Sequence, residues 1–427
     1  MTSTEAIARL EEATNYTFKD EDIDQAYQRV GKYYPIAYRE QITQATHDSM
    51  RNFARSYGDD NPLYHDLYYG RTTRWGGQLA APLIIQVMNR AMLGDPGPKR
   101  VPFRGIQVFV SGSTNNWYRP IREGDVLYRF GGLESFTEKQ SEFAGRSFVE
   151  VRADVHVNQN AEIVAISRTT AVRTERKAAR ENKKYSGIAP AEYSADDIAR
   201  HDAIYAAEKP RGSEPRFWED VSVGDVLGPL AKGPVTVTDF MVFHAGGYGF
   251  HYKPATGRIG YKNRQRIPAF YIPNEQGVPD IAMRLHWDKD WAQANGNPMP
   301  YDYGVLRDCW LSHVFTDWMG DDAWLTFSSS TIRKFNYIGD LHVMQGEVTG
   351  KRIEGEDHLV DVTARGINQR GDTTCIANGT IMLPSKTNGP VVLPVPPRHL
   401  QQRAVELMSE HRRLERDLRE LQPFISL

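Results

Sequence analysis

The chain has 427 residues, of which 40% are hydrophobic, and this length suggests two or three domains. Its formal net charge of -2 argues against a nucleic acid partner, because phosphate binding normally requires a basic excess. The two cysteines, Cys309 and Cys375, stand alone, which excludes a disulfide framework or a Cys-x-x-Cys zinc site and favours a reducing cytoplasm.

No run of about 18 apolar residues occurs, and the first residues are acidic, so we expect neither a membrane span nor an export signal. The first block, residues 1–176, begins with helical periodicity in EQITQATHDSMRNFARSYG and in the more apolar GGQLAAPLIIQVMNRAM. Alternating runs such as VLYRFGGLESF, RSFVEVRADVHV and EIVAISRTTAVRT follow. This order predicts helices first and then an antiparallel sheet.

A linker is predicted at residues 177–213, where charge, Gly and Pro interrupt the pattern around one exposed helix. The block at 214–390 then repeats the first order. It starts with VTVTDFMVFHAGG, continues with a long helix in YDYGVLRDCWLSHVFTDWMG, and ends in strands from WLTFSSSTIRKF to TTCIANGTIML. Residues 391–427 carry a charged helix, which we interpret as a packing or dimer-contact element.

The two blocks also agree in detail. STNNWYRPIREGDVLYRFGGLES and SSTIRKFNYIGDLHVMQGEVTGK both place a Gly-Asp pair between two strands. Gly supplies an unusual backbone dihedral and Asp caps the backbone, so tight turns are predicted at Gly124-Asp125 and Gly339-Asp340. The sequence therefore predicts one fold used twice.

The loop Gly58-Asp59-Asp60-Asn61-Pro62-Leu63-Tyr64-His65-Asp66 resembles the Gly-Asp-x-Asn-Pro-Leu-His-x-Asp loop of the MaoC-like hydratases and dehydratases. The resemblance extends to their double hotdog members, with a first half like the FAS1-like dehydratases. It implies an α+β double hotdog, in which two long helices are each wrapped by an antiparallel sheet and the sheets join as in a dimer. Tyr64 stands where the family has its catalytic histidine.

The second half resembles the other end of the motif. LHWDKDWAQANG is similar to the family's His-x-Asp and the helix after it, which places His286 at the catalytic histidine and Asp288 behind it. The upstream part is altered, because HAGGYGFHYKP replaces the Gly-Asp-x-Asn segment and residues 255–279 are inserted. Asp280 is the nearest candidate for the missing acid, and Asp239 on the preceding helix is another. His244 and His251 are helix-end or turn residues that could border the pocket.

Hydration of a 2,3-double bond conjugated to a thioester needs a carboxylate and an imidazole that share one water, together with donors for the developing enolate oxygen. Glycines at helix starts suit the second task, although they also suit packing alone. The candidates for acid–base chemistry are His286, Asp280, Asp59 and His65; those for substrate binding are Asn61, Tyr64, Gly76, Gly77, Asp288, Tyr301, Asp302 and Gly304. Asp59 and Asn61 also fit a cap and a turn residue. Because Tyr64 is a poor base, the first loop is predicted to line or brace a pocket.

The resemblance implies a hydro-lyase that acts on an enoyl-CoA, without cofactor or metal, as a cytoplasmic homodimer. Trp287, Trp291, Phe270 and Tyr271 suggest a large or aromatic acyl group, or simply core. Two alternatives stay open. A hotdog thioesterase would hydrolyse the same thioester, and a non-catalytic module would only bind it, since each half lacks part of the motif.

Overall fold

The architecture is taken from a computed structural model, which describes residues 17–35, 42–88, 90–91, 103, 106–141, 145–175, 187–249, 257–266, 271–295 and 297–421. His251 and Phe270 lie outside these residues.

The first half places short helices before a curved sheet. Its helices are α1 (Asp20–Arg29), α2 (His47–Ser56), α3 (Pro62–His65) and α4 (Leu67–Thr72), followed by a 3-10 helix at Pro82–Gln86. Its strands are β1 (Tyr33–Pro35), β2 (Arg90–Ala91), β3 (Gln107–Trp117), β4 (Tyr128–Ser141), β5 (Gly145–Val157) and β6 (Ile163–Thr174). Helix α2 begins in a reciprocal cap between Thr46 and Ser49, which satisfies two amides that a helix start leaves unbonded.

The second half repeats this order after α5 (Ala195–Ala207), the helix expected within the linker. It contains a 3-10 turn at Trp218–Asp220, β7 (Val226–Lys232), α6 (Val237–Ala245), α7 (Gly257–Arg266), β8 (Tyr271–Pro273), β9 (Pro279–Ile281), a 3-10 helix at Ala282–His286, α8 (Lys289–Ala294) and α9 (Gly304–Met319). The strands β10 (Trp324–Ile332), β11 (His342–Glu354), β12 (Asp357–Asn368) and β13 (Thr373–Met382) follow, and α10 (Arg398–Leu421) ends the described chain.

The two halves join edge to edge in one 11-stranded sheet, with the order β1-β4-β5-β6-β3-β10-β13-β12-β11-β7 and β2 beside β4. At the seam β3 runs antiparallel to β10, with Ser113 opposite Ser330 and Asn115 opposite Ser328. This is the double hotdog that the sequence predicts, and the single joined sheet is confirmed.

Helix α9 is the centre of the second half. Every residue from Leu306 to Met319 is buried, and strands β7 and β10 to β13 wrap around the helix. Asp308 ties it to both seam strands, because the hydroxyls of Ser113 and Ser330 donate to its carboxylate at 2.8 and 2.6 Å. The helix thus contacts both halves of the chain.

The long helix predicted in the first half is wrong for the part that the structure describes. The run GGQLAAPLIIQVMNRAM forms only the five-residue 3-10 helix Pro82–Gln86, followed by β2. Residues 92–102 lie outside the described residues. Pro82 can open a helix, but the β-branched residues behind it favour helix weakly, so an apolar run of this kind does not fix its own conformation.

Helix α10 packs across the other half. Its residues Ala404, Leu407 and Met408 are buried against Phe130 and Val155 of the first sheet. The tail thus packs on the sheet of its own chain, which is one of the two roles considered for it. No helix among the described residues has the length and apolar character needed to cross a membrane.

The two Gly-Asp turns are also confirmed. Gly124 and Gly339 have φ values of +90° and +91°, the left-handed region where glycine is favoured. Asp125 accepts the Arg122 amide at 2.8 Å, and Asp340 accepts the Tyr337 amide at 2.9 Å. Each turn is formed by residues that are close together in the chain, as the repeat in the sequence predicts.

Candidate active site

His286 lies at the end of the 3-10 helix Ala282–His286, with 7% of its surface exposed. Its Nδ1 is 2.7 Å from the carbonyl oxygen of Tyr301. A carbonyl oxygen only accepts, so Nδ1 must carry the proton of the neutral ring. The Nε2 atom is then left with a lone pair that can take a proton.

Aromatic rings surround this imidazole at the start of α9. The ring of Tyr303 lies 4.1 Å and that of Tyr301 5.0 Å from the His286 ring, centroid to centroid. Tyr303 directly precedes Gly304, the first residue of α9, and no side chain caps this helix start among the described residues. Burial lowers the pKa of His286 to about 4, so the ring is neutral at pH 7. The structure thus places His286 against Tyr301 and Tyr303, the second of which directly precedes Gly304.

It does not bring Asp280 to His286. The Asp280 carboxylate accepts the amide of the next residue, Ile281, and no described hydrogen bond or ion pair joins it to the imidazole. Asp239 is also elsewhere, in the cap of α6, where it accepts the Thr236 amide and hydroxyl. The ionisable group that acts on the pKa of His286 is His244.

Asp288 has a structural role in this arrangement. It caps α8 by accepting the Trp291 amide at 2.9 Å, and it pairs with the buried Arg284 at 3.1 Å. Trp291 is equally structural, since its Nε1 donates to the Ala282 carbonyl and its ring lies under the Arg284 guanidinium. The expectation that Asp288 binds substrate therefore finds no support in its contacts.

Asp302 is likewise turned away from the imidazole. It is fully buried, accepts from the Asn336 side chain at 2.7 Å and pairs with Arg307 at 3.1 Å. Burial raises the pKa of Asp302 to about 6 against the opposing charge of Arg307. These contacts fix the loop before α9, so Asp302 positions the helix start instead of lining a pocket.

His244 is at the end of a helix, but it also contacts the aromatic residues around His286. Its Nε2 lies 2.8 Å from the Tyr303 hydroxyl, and its ring contacts Trp287 at 5.9 Å. Burial lowers the pKa of His244, so its imidazole is also neutral. Both His244 and His286 therefore contact Tyr303 as neutral rings. The sequence placed this residue near the pocket but contained no signal for the bond to Tyr303, which joins two separate elements.

The first-half loop is held by its own polar side chains. The Asp59 carboxylate accepts the Asn61 amide at 3.0 Å and the Tyr57 hydroxyl at 2.9 Å, and Asn61 caps α3 by accepting the Leu63 amide. Burial raises the pKa of Asp59. The turn and cap roles weighed for Asp59 and Asn61 are therefore present.

Tyr64, which replaces the family's histidine, is buried and lines a small cavity of about 40 Å³ together with Asn61. The other walls come from residues 79–82, from Thr316 and Met319 at the end of α9, and from Asp321 just after that helix. About 10–15 Å³ of such space accommodates one water, so the cavity holds a few waters or a few heavy atoms. The first loop lines a pocket, as its sequence predicts.

His65, Gly76 and Gly77 stand apart from this cavity. His65 Nε2 is bonded to the Asp59 carbonyl oxygen, not to its carboxylate, and Arg55 donates to the His65 Nδ1. Burial lowers the pKa of His65. Gly76, at φ +66°, lies in the turn before Leu79, and Pro82 opens the 3-10 helix. The two glycines therefore do not begin the helix for which the oxyanion role was expected.

The residues that sequence reasoning missed are Lys232, His313 and Asp317. His313 and Asp317 sit one turn apart on α9, and His313 Nε2 lies 3.7 Å from the Asp59 carboxylate of the first half. Lys232 Nζ lies 2.9 Å from the His313 Nδ1. The available signal was WLSHVFTDWM, an otherwise apolar helix in which two ionisable residues share a face.

Comparison with known proteins agrees with this architecture. Residues 36–167 match the model of the FAS1-like dehydratase domain region. A UPF0336 protein of Streptomyces griseus is 27% identical over 153 residues, which cover 35% of this chain and 94% of that protein.

Two solved structures match most of the chain. A MaoC-like dehydratase is 17% identical with a TM-score of 0.54, covering 83% of this chain and 98% of that one. A putative MaoC domain protein dehydratase from Chloroflexus aurantiacus J-10-fl is 12% identical with a TM-score of 0.51, covering 84% of this chain and 96% of that one. The protein has the double hotdog fold of the MaoC-like dehydratases. Its first half is similar to the FAS1-like dehydratase domain region.

Proposed function

We propose that this protein is an acyl-thioester hydratase or dehydratase, which adds or removes water across the 2,3-double bond of an enoyl-CoA with His286 as its acid–base group. The observation that carries the proposal is the bond from His286 Nδ1 to the Tyr301 carbonyl, in a ring that packs against Tyr303 at the start of α9. It supports a neutral imidazole whose Nε2 can act as a base close to a helix N-terminus.

The proposed hydration needs only groups at this position. His286 Nε2 takes a proton from water as the water oxygen bonds to the β-carbon, and the π electrons move to the thioester oxygen. The first two amides of α9, those of Gly304 and Val305, stabilise that oxyanion, since a helix N-terminus favours negative charge and the next two amides donate to the Tyr303 carbonyl. The imidazolium then returns its proton to the α-carbon. Dehydration follows the same path in reverse.

The test is His286→Ala assayed with an enoyl-CoA. We expect the hydration rate to fall by about 10²- to 10⁴-fold, the usual worth of a positioned proton donor, with little change in binding. His358→Ala is the matched control, because His358 is also 7% exposed but contacts Trp218 and the Glu356 carbonyl instead. Equal rates for the two variants would exclude His286 as the acid–base group.

The two alternative functions are separated by substrate. A thioesterase hydrolyses a saturated acyl-CoA and releases free thiol, whereas a hydratase acts only on the unsaturated thioester. A binding module would retain either ligand unchanged. Turnover of the enoyl-CoA without thiol release is the result that we expect.

The finer points of the proposal concern substrate and assembly. We propose acyl-CoA as the thioester, a bulky or aromatic acyl group near Trp287, and a homodimer in the cytoplasm. Activity across acyl groups of increasing size would test the substrate, mass determination in solution would test the dimer, and cell fractionation would test the location.

A further inference from the structure

Helix α6 carries three side chains that contact Tyr303, the residue against which His286 packs. The rings of Phe240 and Phe243 lie 5.4 and 6.2 Å from the Tyr303 ring, centroid to centroid. His244, the next residue, has its Nε2 2.8 Å from the Tyr303 hydroxyl. Tyr303 is 2% exposed, and its ring lies 4.1 Å from that of His286. The ring on which the proposed acid–base imidazole rests is therefore held by α6.

The end of α6 is packed closely against the first half of the chain. Gly246 follows this helix with φ -69° and ψ -1°, dihedrals that do not require glycine. A β-carbon built on Gly246 would nevertheless lie 2.4 Å from both side-chain atoms of Ser56, the last residue of α2, and 3.0 Å from the Asn52 carbonyl oxygen. Carbon and oxygen atoms without a bond between them do not approach to 2.4 Å, so only glycine lets α6 lie this near to α2.

Gly247 makes a second close contact of the same kind. Its φ of +119° belongs to the region that favours glycine, and a β-carbon there would lie 2.8 Å from Ile42 Cδ1 and 3.3 Å from Val87 Cβ. Ile42 and Val87 both belong to the first half. Two successive glycines thus set the distance between the first half and the end of α6, directly after His244 and Ala245.

The orientation of the His286 imidazole needs more than its one hydrogen bond. The bond from Nδ1 to the Tyr301 carbonyl fixes one point of the ring but leaves rotation about the N–H···O axis. The Tyr303 ring, packed against the imidazole, restricts that rotation. Phe240 and Phe243 of α6 are 1% and 0% exposed and fill the core, whereas His244 is half-buried and makes a specific polar contact. His244 therefore does more than fill space.

We propose that His244 is a positioning residue of the active site, and that the first half of the chain sets its place through the contact of α2 with Gly246. His244 holds the hydroxyl end of Tyr303, and the Tyr303 ring keeps His286 in the orientation that takes and returns the proton. No covalent bond forms or breaks at His244. The catalytic consequence rests on the proposed function, whereas the effect of α6 on the His286 ring does not.

Hydration of crotonyl-CoA by the full chain tests the role of His244. We expect His244→Leu to lower kcat by about 10- to 100-fold with little change in KM, because the imidazole of His286 loses its orientation and not its substrate. His244→Gln should keep most of the rate, since an amide can still bond to the Tyr303 hydroxyl. Tyr303→Phe should lose as much as His244→Leu, and the double variant no more than either, because the two residues share one contact.

His201→Leu is the matched control for these variants. His201 is 4% exposed and also packs against a tyrosine, Tyr205, but both residues belong to α5. His201→Leu should therefore keep the wild-type kcat. A wild-type rate in His244→Leu would overturn the role of His244, as would a loss in His244→Gln as large as that in His244→Leu.

The part of the first half is tested at the contact of Gly246 with Ser56. Gly246→Ala should lower kcat by about 10-fold, because the added carbon pushes α6 away from α2. Ser56→Gly removes the two atoms in its way, so the double variant should regain most of the loss. Ser56→Thr, which adds one methyl group on the other side of the contact, is the milder change and should lower kcat in the same direction. Gly187→Ala is the control, since a β-carbon there meets nothing within 4 Å. Wild-type rates in both Gly246→Ala and Ser56→Thr, or a loss that Ser56→Gly fails to reduce, would overturn the part of the first half.

Nuclear magnetic resonance of the histidine ring protons tests the positioning without any assay of activity. The Tyr303 ring, 4.1 Å from the imidazole, shifts the His286 signals through its ring current, and His286→Ala identifies those signals by their loss. We expect the signals to move in His244→Leu and Gly246→Ala and to stay in place in His201→Leu and Gly187→Ala. Unmoved signals in His244→Leu and Gly246→Ala would overturn the positioning role. A wild type inactive on crotonyl-CoA would overturn the proposed function instead, and the ring signals would still decide whether α6 positions His286.

Discussion

The Asp59 carboxylate holds its own loop and also lies close to His313 of the distant helix α9. Two of its bonds, from Tyr57 and Asn61, are local and follow from loop chemistry. Its third neighbour, His313, belongs to the other half of the chain. The sequence identifies the first kind of contact through the motif, but only the folded chain supplies the second.

Asp288 provides the clearest test of a structural carboxylate. Asp288→Ala removes the cap on α8 and the partner of the buried Arg284, so the free energy of unfolding should fall by about 1–3 kcal/mol. Asp288→Asn keeps an acceptor oxygen for the Trp291 amide but not the charged partner of Arg284, so its loss should be smaller than that of Asp288→Ala by about the worth of the cap, roughly 1 kcal/mol. Urea unfolding followed by circular dichroism measures both. A loss of hydration activity without loss of stability would instead return Asp288 to the substrate site.

Helix α9 buries ionisable side chains together with its apolar ones, namely Arg307, Asp308, His313 and Asp317. Arg307, Asp308 and His313 have partners on other elements, such as the two seam strands for Asp308, whereas Asp317 lies against His313 of the same helix. The sequence predicts the helix itself correctly, since the apolar run is long and starts at a glycine. It cannot predict the partners, which come from strands and loops elsewhere in the chain.

Two neighbouring positions on the tail helix α10, one buried and one exposed, test how the helix packs. Leu407→Ala, at 1% exposure, should lower the free energy of unfolding by about 2–5 kcal/mol through a cavity between α10 and the first sheet. Val405→Ala, at 52% exposure on the same helix, should change it by less than about 0.5 kcal/mol. Thermal and urea unfolding of both variants checks this. Equal effects would mean that α10 does not dock as the structure shows.

Buried titratable groups in both halves set the pH dependence of the whole protein. Burial lowers the pKa of His156 to about 3, below its unfolded value of about 6.5, so its contribution is full above pH 6.5 and is lost as the pH falls toward 3. The raised pKa values of Asp302 and Asp317, about 6 and 7, act oppositely: their contribution is full below about pH 4 and is lost as the pH rises through those values.

Stability should therefore rise with pH on the acid side, where histidines dominate, and level off or fall near pH 7. His156→Gln should reduce the acid-side slope by up to about 1.4 kcal/mol per pH unit, because one proton fewer is linked to unfolding. The midpoint of urea unfolding between pH 4.5 and 7 gives this slope. An unchanged slope in the variant would show that His156 does not titrate in this range.

Periodicity and turn residues were sufficient to predict the repeated order of elements and the Gly-Asp turns, because these features depend on neighbours within a few residues. The short 3-10 helix at Pro82–Gln86 was not predictable, since an apolar run does not reveal whether packing favours a helix. The partners of His286, the binding of Asp302 to Arg307, and the cluster of Lys232, His313 and Asp317 around Asp59 exist only where distant segments meet. Local chemistry determined the elements and their motifs, whereas the joining of two halves around α9 decided which charged side chains face one another.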